Sequence, residues 1–133
     1  MKYHLLDPFK CKYTYDTLEN KPLGGTQTTI LYFAMHLANH FLDDDIVIYN
    51  HVVESSVDTN HNVTFLPITS FSIELCSVND IVIGFNYPDL AYKFRFCEKE
   101  QPKLIHWCTL LPCQSSYDLF EKNENLDSWD EFI

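Results

Sequence analysis

Glycine, clustered basic residues and long apolar runs are all scarce in this sequence. Only three glycines occur, Gly24, Gly25 and Gly84, where average usage would place about nine. No run approaches the roughly 20 apolar residues of a membrane span, so no transmembrane segment is predicted. The nine basic residues stand against 19 acidic ones, for a net charge of −10, and form no phosphate-binding cluster. We therefore expect a soluble protein that does not bind nucleic acid.

The cysteines and histidines form neither a disulfide framework nor a metal site by their spacing. Five cysteines are an odd number at irregular intervals, and residues 1–8 carry no long apolar stretch for export. Both features predict a reducing, cytoplasmic location. Cys108 and Cys113 have no second pair at zinc-ribbon spacing. His36 and His40 lack the glutamate of an H-E-x-x-H motif, so no metal is predicted.

Short apolar runs bounded by polar residues recur along the chain and predict buried strands. They cover 2–6, 45–50, 62–68, 80–85 and 103–107, and a further strand opens at 132. A helical apolar stripe from Ile30 to Phe41 predicts a helix that Thr26 caps and that ends before Asp43. Weaker helical patterns cover 70–78 and 89–100, and 9–23 reads as a loop.

Buried strands that alternate with amphipathic helices predict an α/β fold. The expected architecture is a Rossmann-like, mostly parallel sheet with helices on both faces. A length of 133 residues with 46% apolar content supports one core, so we expect a single domain over 1–133. Within it, 113–131 forms an acidic tail that is either ordered or mobile.

Two of the three glycines lie side by side, directly before the predicted helix. Glycine there permits a positive φ and lets a ligand oxygen approach the main chain. A helix N-terminus favours an anion, so Gly24 and Gly25 predict a diphosphate or carboxylate contact, with a simple tight turn as the alternative. The motif is neither G-x-G-x-x-G nor a P-loop.

Residues that follow the buried strands are the other candidates, since ligands of open α/β sheets bind beyond the strands' carboxyl ends. Asn86 and Tyr87 follow one strand and could face a ligand. His106 lies near the end of another, where a satisfied structural histidine is the alternative to a catalytic one.

The glycine pair and its surroundings resemble a known enzyme family. The runs Pro22–Gln27, Leu37–His40 and Asp45–Tyr49 are similar to the amino-terminal domain of GT-B glycosyltransferases, particularly glycosyltransferase family four. The runs Asp80–Asn86 and Lys103–Trp107 look like later strands of that domain. The resemblance spans most of the chain.

The resemblance implies transfer of a sugar from a nucleotide-diphosphate sugar to a glycan or other hydroxyl acceptor, with no metal or further cofactor. It places Gly24, Gly25 and Thr26 by the donor diphosphate. Asn86, Tyr87 and His106 become the acceptor-binding candidates, and no catalytic residue is assigned.

The sequence also departs from the family pattern. Cys108 stands where many members have a histidine. No two glutamates are separated by seven residues, the pair with which the family's second domain grips the donor. We therefore expect a piece that ends partway through a first domain and does not catalyse transfer alone. The alternative is a non-catalytic interaction module that uses an exposed sheet edge to bind a second polypeptide or itself.

Overall fold

The fold is built on a single sheet with three helices in the described part of the chain. The computed structural model describes residues 1–87, 89–94, 97, 99–108 and 129–133. The strands are β1 Lys2–Leu6, β2 Asp45–Asn50, β3 Ser56–Asp58, β4 Val63–Pro67, β5 Ile81–Phe85, β6 Lys103–Trp107 and β7 Glu131–Phe132. The helices are α1 Tyr15–Asn20, α2 Gly25–His40 and α3 Leu90–Phe94. Two 3-10 turns cover Ile68–Ser70 and Ile73–Leu75.

The sheet is mostly parallel, in the order β3-β4-β2-β1-β5-β6-β7. Every neighbouring pair is parallel except β3 and β4, which form an antiparallel edge. The parallel strands, numbered along the chain, therefore run 3-2-1-4-5-6, the strand order of a Rossmann fold. The prediction of an α/β fold with a mostly parallel sheet is confirmed. The strand order reverses between β1 and β5, which is where such folds bind their ligands.

Alternate residues of β1, β2, β4, β5 and β6 enter two separate apolar clusters, as the period of a strand requires. In β1, Leu5 belongs to the first cluster and Leu6 to the second. Buried residues of α2 complete the first cluster: Ile30, Leu31, Ala34 and Ala38. Residues of α3 belong to the second: Leu90, Ala91 and Phe94. Strands buried on both faces explain the continuous apolar runs in the sequence.

The long helix α2 agrees with the sequence prediction, but its start differs in detail. Gly24 is its N-cap residue, and as a glycine it has no side chain with which to accept a hydrogen bond from the helix. Thr26 lies inside the first turn, so the prediction that Thr26 caps the helix is wrong. The helix ends at His40, before the three aspartates, and Phe41 N–H donates to the Leu37 carbonyl at 2.8 Å.

Two local predictions were wrong because short-range hydrogen bonds outweighed the apolar pattern. The expected loop 9–23 contains α1, where the Thr17 hydroxyl accepts from Thr14 N–H at 3.0 Å. The expected helix 70–78 is replaced by the two 3-10 turns. Ser72 hydroxyl accepts from Glu74 N–H at 3.3 Å, a contact that competes with helical hydrogen bonding. The edge strand β3 was not predicted at all.

The structure describes only part of the two remaining predicted segments, the helix 89–100 and the acidic tail 113–131. The expected helix 89–100 is shown as α3, and residues 95, 96 and 98 lie outside the described residues. Of the acidic tail 113–131, residues 113–128 also lie outside them. Trp129 is buried, and Glu131 belongs to β7, which pairs with β6 near the strand predicted at 132.

Candidate functional site

Polar residues gather where β1 and β2 end, next to the start of α2. Asp7 follows β1 directly, and Asn50 is the last residue of β2. Gln27, in the first turn of α2, reaches Asp7 with its side chain. The carboxyl edge of a parallel sheet is the general ligand-binding side of this fold class. This edge of the sheet is therefore the candidate site.

The carboxylate of Asp7 fixes the start of α2 against the sheet. Its Oδ2 accepts from the Tyr13 hydroxyl at 2.9 Å and from Gln27 Nε2 at 3.2 Å. Its Oδ1 accepts from Phe9 N–H at 3.0 Å. Asn50 Nδ2 donates to the Tyr13 carbonyl at 2.8 Å and holds the same loop to β2. We call Asp7, Tyr13, Gln27 and Asn50 the Asp7 network.

The Asp7 network is buried, which sets its charge state. Asp7 is 2% exposed and Tyr13 is 1% exposed. Burial raises the pKa of Asp7, and the hydrogen bonds from Phe9, Gln27 and Tyr13 oppose that rise. The pKa of the Tyr13 phenol is raised well above its ordinary value by burial and by the Asp7 charge. A buried, hydrogen-bonded carboxylate of this kind orients its neighbours and keeps the helix start in one position.

The glycine pair lies at the exposed start of α2. Neither glycine has a positive φ, so the prediction that glycine serves a left-handed conformation here is wrong. A Cβ at Gly24 would lie 2.5 Å from Gln27 Oε1, whereas a Cβ at Gly25 would meet no atom within 4 Å. Gly24 therefore leaves room for the side chain that binds Asp7. Gly25 presents open space through which a ligand atom can approach the backbone.

The predicted acceptor residues Asn86 and Tyr87 follow β5 at the same edge. Asn86 has a φ of 50°, in the left-handed region that asparagine tolerates better than most residues. Its N–H donates to the Trp107 carbonyl at 2.9 Å, which extends the pairing of β5 with β6 to Asn86. Tyr87 then reaches Lys93, whose Nζ donates to the Tyr87 hydroxyl at 3.2 Å.

Tyr87 lines a cleft of about 440 Å³, which we call the α3 cleft. Its apolar floor includes Leu6, Phe71 and Leu90, and Lys93 stands at its side. A mostly apolar hollow of this size with a few polar groups is typical of small-molecule sites. Asn86 and His106 are not among the described residues that line it.

His106 is in the sheet interior, not at an accessible edge. It is 1% exposed, and its ring packs edge-to-face on Trp129 with centroids 5.1 Å apart. Burial lowers the pKa of His106 to about 4, so the ring is neutral at neutral pH. Its pairing partner in β5 is Gly84, where a Cβ would come within 2.7 Å of the Trp129 ring. Position 84 therefore requires a residue without a side chain, because the Trp129 ring packs directly on the strand there.

A second buried polar cluster, which the sequence analysis did not predict, joins β2, β1 and the residue before β5. It lies beneath the segment that contains the 3-10 turns. His4 Nδ1 lies 3.2 Å from the Tyr49 hydroxyl, and His4 Nε2 lies 3.3 Å from Asp80 Oδ2. Asp80 also accepts from the N–H groups of Ser77 and Lys2. The signals in the sequence were a histidine inside an apolar run and an aspartate directly before a buried strand.

The charge states of this second cluster indicate a structural role. Burial lowers the pKa of His4, against the opposing effect of Asp80. Burial favours the neutral form of Asp80, but its hydrogen bonds from Ser77, His4 and Lys2 together lower its pKa. A neutral histidine therefore bridges a phenol and a carboxylate. Asp80 precedes β5, so its carboxylate lies at the opposite end of that strand from Tyr87.

Wider comparisons leave the chain without an assigned family. Comparisons with protein-family models, with curated proteins and with solved structures each find no match. Within the part of the chain that the structure describes, no group of three or more His, Cys, Asp or Glu side chains is arranged to hold a metal ion. None of the helices in that part is both long and apolar enough to cross a membrane.

Proposed function

We propose that this chain is the amino-terminal domain of a GT-B glycosyltransferase of family-four type, with helices on both faces of its Rossmann-like sheet. The parent enzyme moves a sugar from a nucleotide-diphosphate sugar to a hydroxyl acceptor. The observation that carries the proposal is the start of α2 at Gly24 and Gly25, which the Asp7 network holds at the carboxyl edge of a sheet with Rossmann strand order. The resemblance of the sequence around these glycines supports the same function.

The donor diphosphate lies at the start of α2, by Gly24, Gly25 and Thr26. The first N–H groups of a helix have no carbonyl partner within the helix, and the helix dipole places about half a positive charge there. The open space at Gly25 lets a phosphate oxygen approach these groups. Such donors stabilise the charge that develops on the leaving diphosphate without a metal ion.

The acceptor occupies the α3 cleft. Tyr87 offers an aromatic face and a hydroxyl that Lys93 already orients. Asn86 sets the direction in which Tyr87 leaves β5, and His106 supports the strand beneath Trp129. Tyr87 is the predicted acceptor residue that lines the cleft, and Asn86 acts through the position of Tyr87.

Donor gripping by a glutamate pair is assigned to a second domain or a second polypeptide, since the sequence has no glutamates at that spacing. We expect no sugar transfer by this chain alone. Cys11, Cys76 and Cys97 are free thiols, which fits a cytoplasmic location in a reducing compartment.

Thermal denaturation in the presence of ligand tests the donor site. We expect uridine or guanosine diphosphate, or their sugars, to raise the melting temperature. A ligand at ten times its Kd adds about 1.4 kcal/mol, a shift of about 5 °C for a chain of this size. Gly25→Asp should abolish the shift, because its carboxylate repels the diphosphate. Gly25→Ala is the matched control, since its methyl group enters open space without a charge.

Three results would count against the proposal. No shift at millimolar concentrations of any of these ligands would remove the donor site from this chain. A shift that persists unchanged in Gly25→Asp would place the ligand elsewhere. In the parent enzyme, absence of turnover with every such donor would overturn the enzymatic function.

The alternative function, an interaction module, depends on an exposed sheet edge. The strands at the two edges are β3, with three residues, and β7, with two. Short edge strands limit pairing with another chain. The geometry therefore gives more support to ligand binding than to edge association. Size-exclusion chromatography with light scattering separates the two, because an edge-binding module should self-associate and a ligand-binding domain should elute as a monomer.

A further inference from the structure

A second hollow, of about 340 Å³, lies beside α1 and is separate from the α3 cleft. One wall is the connection between β1 and α2, through residues 12–14, 17 and 21. The other wall is the loop after β2, residues 52–54. Both walls follow strands at their carboxyl ends, the side of the sheet on which ligands bind in this fold class. We call this space the α1 hollow.

The α1 hollow is lined by two lysines that form no salt bridge with a described carboxylate. Lys99 and Lys103 each form a salt bridge with a glutamate, but Lys12 and Lys21 form none with the described residues. Two like charges around one hollow repel each other, and an anion between them removes that repulsion. In a chain with a net charge of −10, this local pair of cations is an exception. The charge favours an anionic ligand, and lysine is a common phosphate-binding residue.

The other residues that line the α1 hollow indicate the chemistry of the rest of the ligand. Val52 and Val53 offer an apolar surface, and Val53 is 81% exposed. Glu54 lines the same hollow and forms no salt bridge with a described lysine. A carboxylate accepts hydrogen bonds, so it suits the hydroxyl groups of an organic body and would repel a bare anion.

We infer that the α1 hollow binds a hydroxylated phosphate ester of the sugar-phosphate class. The phosphate group lies between Lys12 and Lys21, the carbon body covers Val52 and Val53, and ligand hydroxyls donate to Glu54. Tyr13 forms the floor, and its hydroxyl remains bound to Asp7. This site does not depend on the proposed donor site at Gly25, which uses different residues.

Isothermal titration calorimetry of the full chain with glucose 6-phosphate tests the inference, with inorganic phosphate and glucose as the comparison ligands. We expect glucose 6-phosphate to bind at least tenfold more tightly than inorganic phosphate. Glucose should show no binding at about 10 mM, a concentration on the order of the weakest dissociation constants that titration detects. The double variant Lys12→Gln/Lys21→Gln should lose at least tenfold in affinity. Lys10→Gln is the matched control, because Lys10 is an exposed lysine nearby that is not among the described lining residues.

Further variants separate this inference from simple charge attraction and from the donor site. Glu54→Gln should strengthen binding of inorganic phosphate and reduce the preference for the sugar ester. Gly25→Asp should leave glucose 6-phosphate binding unchanged, even if it abolishes nucleoside diphosphate binding. The inference is wrong if wild type shows no binding at 10 mM, or if Lys10→Gln lowers affinity as much as the double variant. Equal affinity for phosphate and its sugar ester would also overturn it.

Discussion

Replacement of Tyr13 by phenylalanine removes one hydroxyl from the Asp7 network and measures how strongly that network holds the start of α2. The Tyr13 hydroxyl donates to Asp7 Oδ2 at 2.9 Å, and both side chains are almost fully buried. A hydrogen bond to a charged group contributes about 1.5–3 kcal/mol to stability. We expect Tyr13→Phe to lower the free energy of unfolding by about 2 kcal/mol at pH 7.5, within that range.

The effect should depend on pH, with a sign fixed by Asp7. In the unfolded chain Asp7 loses its proton near its ordinary pKa of 3.8, whereas burial raises that pKa in the folded state. Ionisation of Asp7 therefore opposes folding as the pH rises through the folded pKa. The Tyr13 hydrogen bond lowers the folded pKa, so its removal enlarges this loss of stability. At pH 3.5, where Asp7 is protonated in the folded state, the variant should lose only about 1 kcal/mol, the contribution of a neutral hydrogen bond.

Urea denaturation followed by tryptophan fluorescence measures both values. Tyr32→Phe is the control, because Tyr32 is 51% exposed on α2 and should change the free energy of unfolding by less than about 0.5 kcal/mol. The reasoning is refuted if Tyr13→Phe costs no more than Tyr32→Phe at pH 7.5. It is also refuted if the loss is the same at both pH values, since Asp7 would then not be the charged partner.

Two further predictions concern residues of β5 and β6. Gly84→Ala should lower the free energy of unfolding in urea by about 1–3 kcal/mol, because its Cβ would meet the Trp129 ring at 2.7 Å, whereas Gly25→Ala should be nearly neutral. His106 binds a proton near pH 6.5 when unfolded but near pH 4 when folded, so acidification from 6.5 to 4 should cost about 3 kcal/mol of stability. His106→Leu should lose that part of the pH dependence, and an unchanged pH profile would contradict the assignment.

The strands were predictable because burial on both faces leaves a direct mark in the sequence. β1 and β2 have the predicted bounds, and β5 and β6 match within one residue. Each is an apolar run closed by polar residues, which few other structures produce. β3 escaped prediction for the opposite reason, since its residues are mostly exposed and carry no apolar signal.

The helices were less predictable wherever side chains bind the local backbone. α1 has no apolar period, and its start is fixed by the contact between Thr14 and Thr17. The segment 70–78 has enough apolar residues for a helix, but the Ser72 hydroxyl captures a backbone N–H and favours a 3-10 turn. Such contacts depend on rotamers that composition and periodicity do not record.

The glycine pair and Tyr87 could be placed at the carboxyl edge from the sequence, because strand ends and helix starts meet there in a parallel sheet. The Asp7 network could not. It joins Asp7, Tyr13, Gln27 and Asn50 from four separate places in the chain, and no spacing relates them. The position of Asp7 after a buried strand was its one visible signal.

The central position of β1 has a consequence for how the chain folds during synthesis. β1 leaves the ribosome before its two partners, β2 and β5, and the contact between Lys2 and Asp80 spans 78 residues. Pairings across such separations form slowly, because a long loop must close before they are stable. Until β5 is available, one side of β1 exposes unpaired backbone groups to other nascent chains. Conditions that delay translation between β2 and β5 should therefore increase aggregation of this protein more than delays after β5 has been made.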